Sequence, residues 1–400
     1  MNHAIDTLLT KNNTAFYVFD IAKLKRRIQY LRDTLPEAVS LCYAVKANTF
    51  LIKEISDEID RFEVCSPGEA EICNTLDIPS RKLVISGVYK TPFMIENLIK
   101  DPTFQGILTV ESLRQYELLR QLSAQYHHTI PILLRLTNDS QFGMNKEDIE
   151  QIVSTRKTTP NLDILGIQFF SGTQKTSIKK LKRELTHLDA FLQHLTESCG
   201  FEARELEYGP GFPVTYFEEE TFDEDAFLRN FSMLLHDMNT RPKITLELGR
   251  SIAASCGQYF THIVDKKQNK QQNYVLVDGG MHQLVYYGQH MAMKHPFLSV
   301  YGKEHAPKTA SWNICGSLCT MNDIIVKQAA LPDFSIGDVL CFQNTGAYSI
   351  TEGISLFLSR DLPAVYLLKE NEEIISVRNT QETAVWNTPN YERKFSIWNA

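Results

Sequence analysis

Eight times between residues 39 and 250 the chain repeats one unit: a short β-branched or apolar run, a turn, and a stretch with helical periodicity. The runs fall at 39–47, 61–66, 82–87, 106–110, 131–136, 164–170, 205–209 and 243–249. The intervening helices are legible as well. Leu24, Ile28, Leu31 and Leu35 recur at helical spacing behind Asp20, a good N-cap, and Ser66-Pro67-Gly68-Glu69 reads as a helix start with proline in its first turn. Parallel strands need a long crossover between them, so strict strand–helix alternation leaves few architectures. Eight such units predict an α/β fold, a closed (β/α)8 TIM-type barrel, with a doubly wound open sheet as its rival.

After Gly257 the pattern changes to short strand-like runs at 274–277, 324–327, 339–342 and 364–368, separated by Gly, Pro, Asn and Asp. One further run, 15–19, precedes the barrel and is assigned to the same β domain. The expected division is therefore a barrel over 21–255, with 1–20 and 256–400 forming a β-sandwich or β-barrel-like domain. The 400 residues, 43% hydrophobic and 22% charged, suffice for both.

A net charge of −7 argues against a nucleic-acid binder, which needs a basic face. No apolar run approaches the roughly 18 residues of a membrane span, and residues 1–10 show no basic segment followed by an apolar core. The expectation is a soluble, cytoplasmic protein acting on a small molecule, with no nucleic-acid or membrane partner. The eight cysteines are scattered, which predicts reduced thiols rather than a disulfide framework. Cys315 and Cys319 lack a second Cys or His pair at ligand spacing, so no metal site is expected. The charge run Lys179-Lys180-Leu181-Lys182-Arg183 reads as a solvated helix face.

Tyr43-Ala44-Val45-Lys46-Ala47-Asn48 places a lysine at the carboxyl end of the first barrel strand, the end where barrel active sites lie. A lysine becomes a nucleophile toward aldehydes when burial or neighbouring charge disfavours its ammonium form; the alternative is a strand-end lysine facing solvent. Glycine turns follow strands seven and eight, Gly209-Pro210-Gly211 and Glu247-Leu248-Gly249-Arg250. Barrels commonly receive a phosphate there, because glycine lets backbone N–H groups approach an anion, and Arg250 can add a charged fork. Glycine also closes ordinary strand-to-helix turns. Glu247 is placed to face a ring nitrogen and hold its proton, or to pair with Arg250.

Taken in order, these motifs carry a resemblance. The chain from about Phe16 to Glu382 resembles the fold-type III pyridoxal 5′-phosphate decarboxylases, the diaminopimelate, ornithine and arginine decarboxylases with an alanine-racemase-like fold. The motifs that carry it are Tyr43–Asn48, Phe62-Glu-Val-Cys-Ser-Pro-Gly-Glu69, Gly209-Pro-Gly-Phe-Pro213, Glu247–Arg250, Asp278-Gly-Gly-Met281, Gly316-Ser-Leu-Cys319-Thr-Met-Asn-Asp323 and Gly346-Ala-Tyr348. The resemblance implies an amino-acid decarboxylase in which Lys46 holds pyridoxal 5′-phosphate as a Schiff base and Glu247 contacts its pyridine nitrogen. It implies that Thr173, Gly209, Gly211, Gly249, Arg250 and Tyr348 surround the phosphate, with Glu63, Glu69 and Arg135 near the lysine and cofactor. It also implies a homodimer with shared active sites, in which Cys319 of one copy reprotonates the carbanion left by CO2 at the other copy's site. A thiol titrates close enough to neutrality for that task; the alternative is an inert core cysteine.

Several matched positions depart from the family. Phe170 stands where a histidine stacks on the cofactor ring; it can stack but supplies no charge. Thr320 replaces the acidic residue after the cysteine, and a hydroxyl does not pair an ammonium as a carboxylate does. The arginine and tyrosine that hold diaminopimelate align with Tyr286 and His290. With Asp323 and His282, these residues form the expected substrate side, although His282 and His290 also read as surface or interface histidines. The expected substrate is a non-standard, conjugated or carrier-bound amino acid. The alternatives are diaminopimelate decarboxylase proper, an amino-acid racemase, or a non-catalytic cofactor-binding paralogue.

Overall fold

The computed structural model describes residues 3–390. Strands Ser40–Ala44, Arg61–Val64, Leu83–Ile85, Ile107–Val110, Ile130–Arg135, Leu162–Phe170, Glu205–Gly209 and Lys243–Leu248 close into a parallel barrel in chain order. The eighth pairs with the first through Ser40↔Thr245 to Tyr43↔Leu248. All eight expected runs are barrel strands, and the open-sheet rival is excluded. Central strands such as Ile107–Val110 and Glu205–Gly209 are buried at every position, because helices cover the outside while side chains fill the inside. The first run was expected to continue as strand to residue 47. Its strand ends instead at Ala44, and Lys46 sits on a single 3-10 turn, Val45–Ala47.

The helices follow their sequence signals. In Ile21–Thr34 and just beyond it, Leu24, Ile28, Leu31 and Leu35 are all buried, each worth about 1.5–3 kcal/mol of apolar transfer. Helix Pro67–Thr75 starts as expected: Ser66 Oγ accepts from Glu69 N at 3.2 Å, and Glu69 Oε2 accepts from Cys65 N at 2.7 Å. Lys179, Lys180, Lys182 and Arg183 lie exposed on helix Ile178–Cys199.

The chain divides into two compact units. One is the barrel, residues 23–215 and 221–253; the other comprises the chain up to Ala22, residues 216–220 and the chain from Ala254 onward. The second unit is built on a nine-stranded mixed sheet. Its central strand, Gly257–Asn269, pairs through its first half with Phe16–Asp20 and Val339–Gln343, and beyond a bulge at Ile263–Asp265 with Gln272–Val277. Phe16–Asp20 also pairs in parallel with Ala364–Leu368, so the run ahead of the barrel does belong to this sheet. Helix His3–Lys11 packs Ala4, Ile5 and Leu8 against Phe16, Val18 and Phe260. All eight cysteines are free thiols: four are buried, three half-buried, and Cys319 is exposed.

Candidate active site

At the carboxyl end of the barrel Lys46 Nζ points between two carboxylates. It donates to Glu63 Oε2 at 2.5 Å and lies 3.5 Å from Glu247 Oε1 and 3.4 Å from Cys65 Sγ. The Cys65 thiol donates to the other oxygen of Glu63 at 3.0 Å. Gln168, on the sixth strand, donates from Nε2 to Glu247 Oε2 at 3.0 Å. Glu63 and Glu247 are nearly inaccessible, whereas the Lys46 side chain is 38% exposed. An accessible amine between buried acids can therefore be reached by an aldehyde from the mouth.

The two acids differ. Burial alone would raise the Glu63 carboxyl, but the Lys46 ammonium and the Cys65 thiol hold it below its ordinary range. Burial, reinforced by the charge of Glu63, lifts Glu247 to about 7. One carboxylate thus neutralises the lysine, and the other stands ready to change its protonation state when a cation faces it. Arg135 Nη1 donates to Glu111 Oε1 at 2.8 Å and its guanidinium covers the Phe142 ring at 4.7 Å, so it forms the wall beyond Glu63.

The turns after strands six, seven and eight form a glycine-lined rim. Gly211 has φ +64°, and a Cβ there would lie 2.1 Å from Gly172 O, so these two turns approach closer than any other residue permits. Gly172, with φ +119°, has nothing within 4 Å of its Cβ position. Phe170 presses its ring on Gly209, where a Cβ would meet Cδ2 at 2.4 Å. Thr173 is half-buried in the same rim, Gly249 O accepts from Ile252 N and Ala253 N at the start of helix Arg250–Ala253, and Arg250 is buried.

In the sheet unit, Asp323 is buried and accepts from Met281 N and Leu318 N, each at 2.8 Å. Its carboxylate thus ties together the turns that carry His282 and Cys319. Cys319 is exposed and Thr320 half-buried. His282 is 1% exposed, and burial, then the charge of Arg360, pushes its imidazole down to about 4. His282 is therefore a neutral core residue at physiological pH, whereas His290 is exposed. Tyr286 is buried against Tyr216 and Phe217, with its hydroxyl donating to Gln343 O at 2.5 Å. It also lines a cavity of about 520 Å³ with Met281, Met291, Met321 and Asn322. Tyr348 adopts φ +65° and its carbonyl accepts from Thr351 N and Glu352 N.

The sequence reading did not single out Cys65, Gln168 or Glu207. Glu207 is wholly buried on the seventh strand, neither of its oxygens has a hydrogen-bond partner among the described residues, and burial raises its carboxyl well above the ordinary range. Its nearest cation is Arg61, with Nη1 4.0 Å from Oε2. The available signal was alternation within the strand, which puts Glu205 and Glu207 on one face of a segment buried at every position.

Comparison with known proteins bears on these groups. The family model described as pyridoxal-dependent decarboxylase, C-terminal sheet domain, matches residues 16–346. The chain is 26% identical over 389 residues to a diaminopimelate decarboxylase of Aquifex aeolicus, covering 92% of this chain and 89% of that one. It is 24% identical over 414 residues to the L-glutamyl-[BtrI acyl-carrier protein] decarboxylase of Niallia circulans, covering 96% of each. It is 24% identical over 392 residues to the 2-[(L-alanin-3-ylcarbamoyl)methyl]-2-hydroxybutanedioate decarboxylase of Staphylococcus aureus, covering 89% of this chain and 94% of that one. Among solved structures, a diaminopimelate decarboxylase from M. jannaschii superposes with a TM-score of 0.85 at 20% identity, covering 94% and 92%. That likeness is one of fold.

Proposed function

The chain belongs to the pyridoxal-dependent decarboxylases, and from that premise we propose that its substrate is an amino acid with a neutral or conjugated distal end, such as one linked to a carrier. It is a pyridoxal-phosphate enzyme that removes a carboxyl group from an amino acid, which sets aside the racemase and the non-catalytic paralogue. The residues fit the cofactor. Lys46 offers an accessible amine, Glu247 an acid near neutrality, and the Gly172 and Gly211 turns a close backbone approach that leaves open space in front of Gly172.

In this reading Lys46 holds the cofactor's aldehyde carbon and Glu247 holds a proton at its ring nitrogen. Thr173, Gly209, Gly211, Gly249 and Arg250 would receive its phosphate, and Phe170 would offer an aromatic face to its ring. Pyridoxal phosphate, bound there, supplies the electron sink for the pair left when CO2 departs. Glu63 would orient the Lys46 amine whenever it is free of the cofactor, the charge of Arg135 helps to keep that carboxylate ionised, and Cys319 of a second copy would deliver a proton to the α-carbon.

The lining of the Tyr286 cavity supports the substrate class: Met281, Met291, Met321 and Tyr286 are uncharged, neither a carboxylate for a distal ammonium nor a guanidinium is among them, and Lys327 is the one charged side chain that joins them. Two relatives act on such substrates by name, one carrier-bound and one conjugated. The competing reading, diaminopimelate itself, is favoured by the Aquifex aeolicus relative.

CO2 release from free diaminopimelate, ornithine and lysine, measured beside carrier-linked and amide-conjugated amino acids, separates the two. Faster release from diaminopimelate than from every conjugate would remove the proposed substrate class. Lys46→Ala is expected to abolish borohydride-fixable cofactor and turnover; a variant still labelled and active would overturn the role of Lys46.

A further inference from the structure

A second charged cluster lies directly behind the rim. Lys175, only 4% exposed, donates from Nζ to Ser171 Oγ at 2.7 Å and to Glu184 Oε2 at 2.8 Å. Ser171 Oγ donates to Glu184 Oε1 at 2.7 Å and Tyr208 OH donates to Glu184 Oε2 at 2.7 Å. Glu184, on helix Ile178–Cys199, thereby gathers donors from both sides of the rim: Ser171 and Lys175 follow strand six, and Tyr208 belongs to strand seven.

The same two turns are stitched from above. Gln174 adopts φ +56°, and its side chain stands in for a strand backbone: Nε2 donates to Val214 O at 2.9 Å while Oε1 accepts from Val214 N at 2.7 Å. Lys175 N donates to Gly211 O at 2.9 Å.

Burying an ammonium and a carboxylate is costly, and an apolar pair of equal volume would fill the space at no such cost. What the ionic arrangement adds is direction: each oxygen of Glu184 accepts from fixed partners, of which Ser171 and Lys175 flank Gly172 and Thr173 while Tyr208 immediately precedes the Gly209–Gly211 turn. Loops left to themselves open easily, whereas a phosphate is held well only when several donors stay aimed at its oxygens together.

We propose that Gln174, Lys175 and Glu184 are positioning residues that lock the turns after strands six and seven into one phosphate-receiving cradle, so that groups remote from the phosphate set part of the affinity for the cofactor. This rests on the reading of Thr173, Gly209 and Gly211 as the phosphate's receivers.

The test uses the full-length protein stripped of cofactor and titrated, in separate series, with pyridoxal phosphate and with pyridoxal, which lacks the phosphate. Glu184→Gln, Lys175→Met and Gln174→Ala are followed by the absorbance of the lysine-bound aldehyde and by melting temperature. Each is expected to weaken pyridoxal phosphate about tenfold or more, the scale at which groups orienting ligand-contacting residues act. Pyridoxal affinity is expected to stay unchanged. Equal loss for both ligands marks general damage to the barrel and overturns the proposal, as does unchanged affinity for pyridoxal phosphate. Gln174→Ala removes no buried charge, so it keeps the test decisive if the two ionic variants fail to fold. Gly211→Ala separates the premise: if it leaves pyridoxal phosphate binding intact, the cradle is misassigned, whereas weakening by Gly211→Ala alone leaves the cradle standing and sinks the lock.

Discussion

Glu63 and Glu247 face one ammonium, yet only Glu63 is held as a carboxylate: it takes the Lys46 ammonium at 2.5 Å against 3.5 Å for Glu247, whose carboxyl is raised by burial and then by the negative charge of Glu63 despite the Gln168 donor. The difference has a measurable consequence in the cofactor-free protein. Glu247 titrates at about 7 when folded, against roughly 4.3 in an unfolded chain. A raised folded value means that its contribution to stability is fully present below the unfolded value and is lost as pH rises through 7. Glu247→Gln keeps the shape and cannot ionise. Its stability relative to the parent protein should therefore climb between about pH 4.5 and pH 7, by up to about 4 kcal/mol, and then level off. Urea unfolding of both proteins across that range checks this; a constant difference would show that Glu247 is already ionised at acid pH. With cofactor bound, the same substitution should keep the protein labelled through Lys46 while turnover falls by orders of magnitude, because the proton opposite the ring nitrogen is no longer held.

Among the elements, the eighth strand carries Glu247, and the turn before it is held by one side chain. Asp189, buried on helix Ile178–Cys199, accepts from Asn239 N and Thr240 N at 2.8 Å each, from Asn239 Nδ2 at 3.0 Å and from Thr240 Oγ1 at 2.5 Å. Burial works against its charge, but these donors hold the carboxyl below its ordinary range. Its contribution is thus present above the unfolded value and lost as pH falls through the folded one. Asp189→Ala strands two backbone N–H groups and should cost about 2–4 kcal/mol at neutral pH, with the loss shrinking in acid; unfolding at pH 7 and pH 3 measures both. The barrel was legible because most of its strands are short, largely apolar and largely buried runs, each closed by a turn. Strand Gly257–Asn269 was not, because its second half is exposed and lacks any apolar alternation. Helix His3–Lys11 hides in a nine-residue segment whose three buried side chains have meaning only against the sheet it covers. Lys46, Glu63 and Glu247 could be read from strand-end position and resemblance. Gln168 could not, since its partner Glu247 lies 79 residues on and the barrel brings them together, and the contacts of Cys65 and of the Glu184 network depend on how neighbouring strands, turns and a helix pack.

For the molecule as a whole, the proposed division of labour sets Lys46 in the barrel of one copy and Cys319 in the sheet unit of another. Cys319 is exposed, and its loop is fastened by Asp323 to the Gly280–Met281 turn, so the thiol is presented outward on a rigid support. A two-fold assembly that shares sites in this way makes a numerical prediction. Lys46→Ala and Cys319→Ala should each be inactive alone. Mixed in equal amounts under conditions that allow subunits to exchange, half of the pairs become mixed, and one site of each mixed pair has both intact groups. Activity should then return to about a quarter of the parent level, provided that exchange is random and each site acts independently. If Lys46 and Cys319 instead served one site from a single chain, no mixing would restore turnover, because every site would retain one defect. The restored fraction also reports on exchange itself: it should rise with incubation time and fall on chemical cross-linking of the parent pairs before mixing. Return of activity to a quarter, blocked by prior cross-linking, is the result expected of shared sites; mixtures that stay inactive while mixed pairs are demonstrably present would place both groups in one chain.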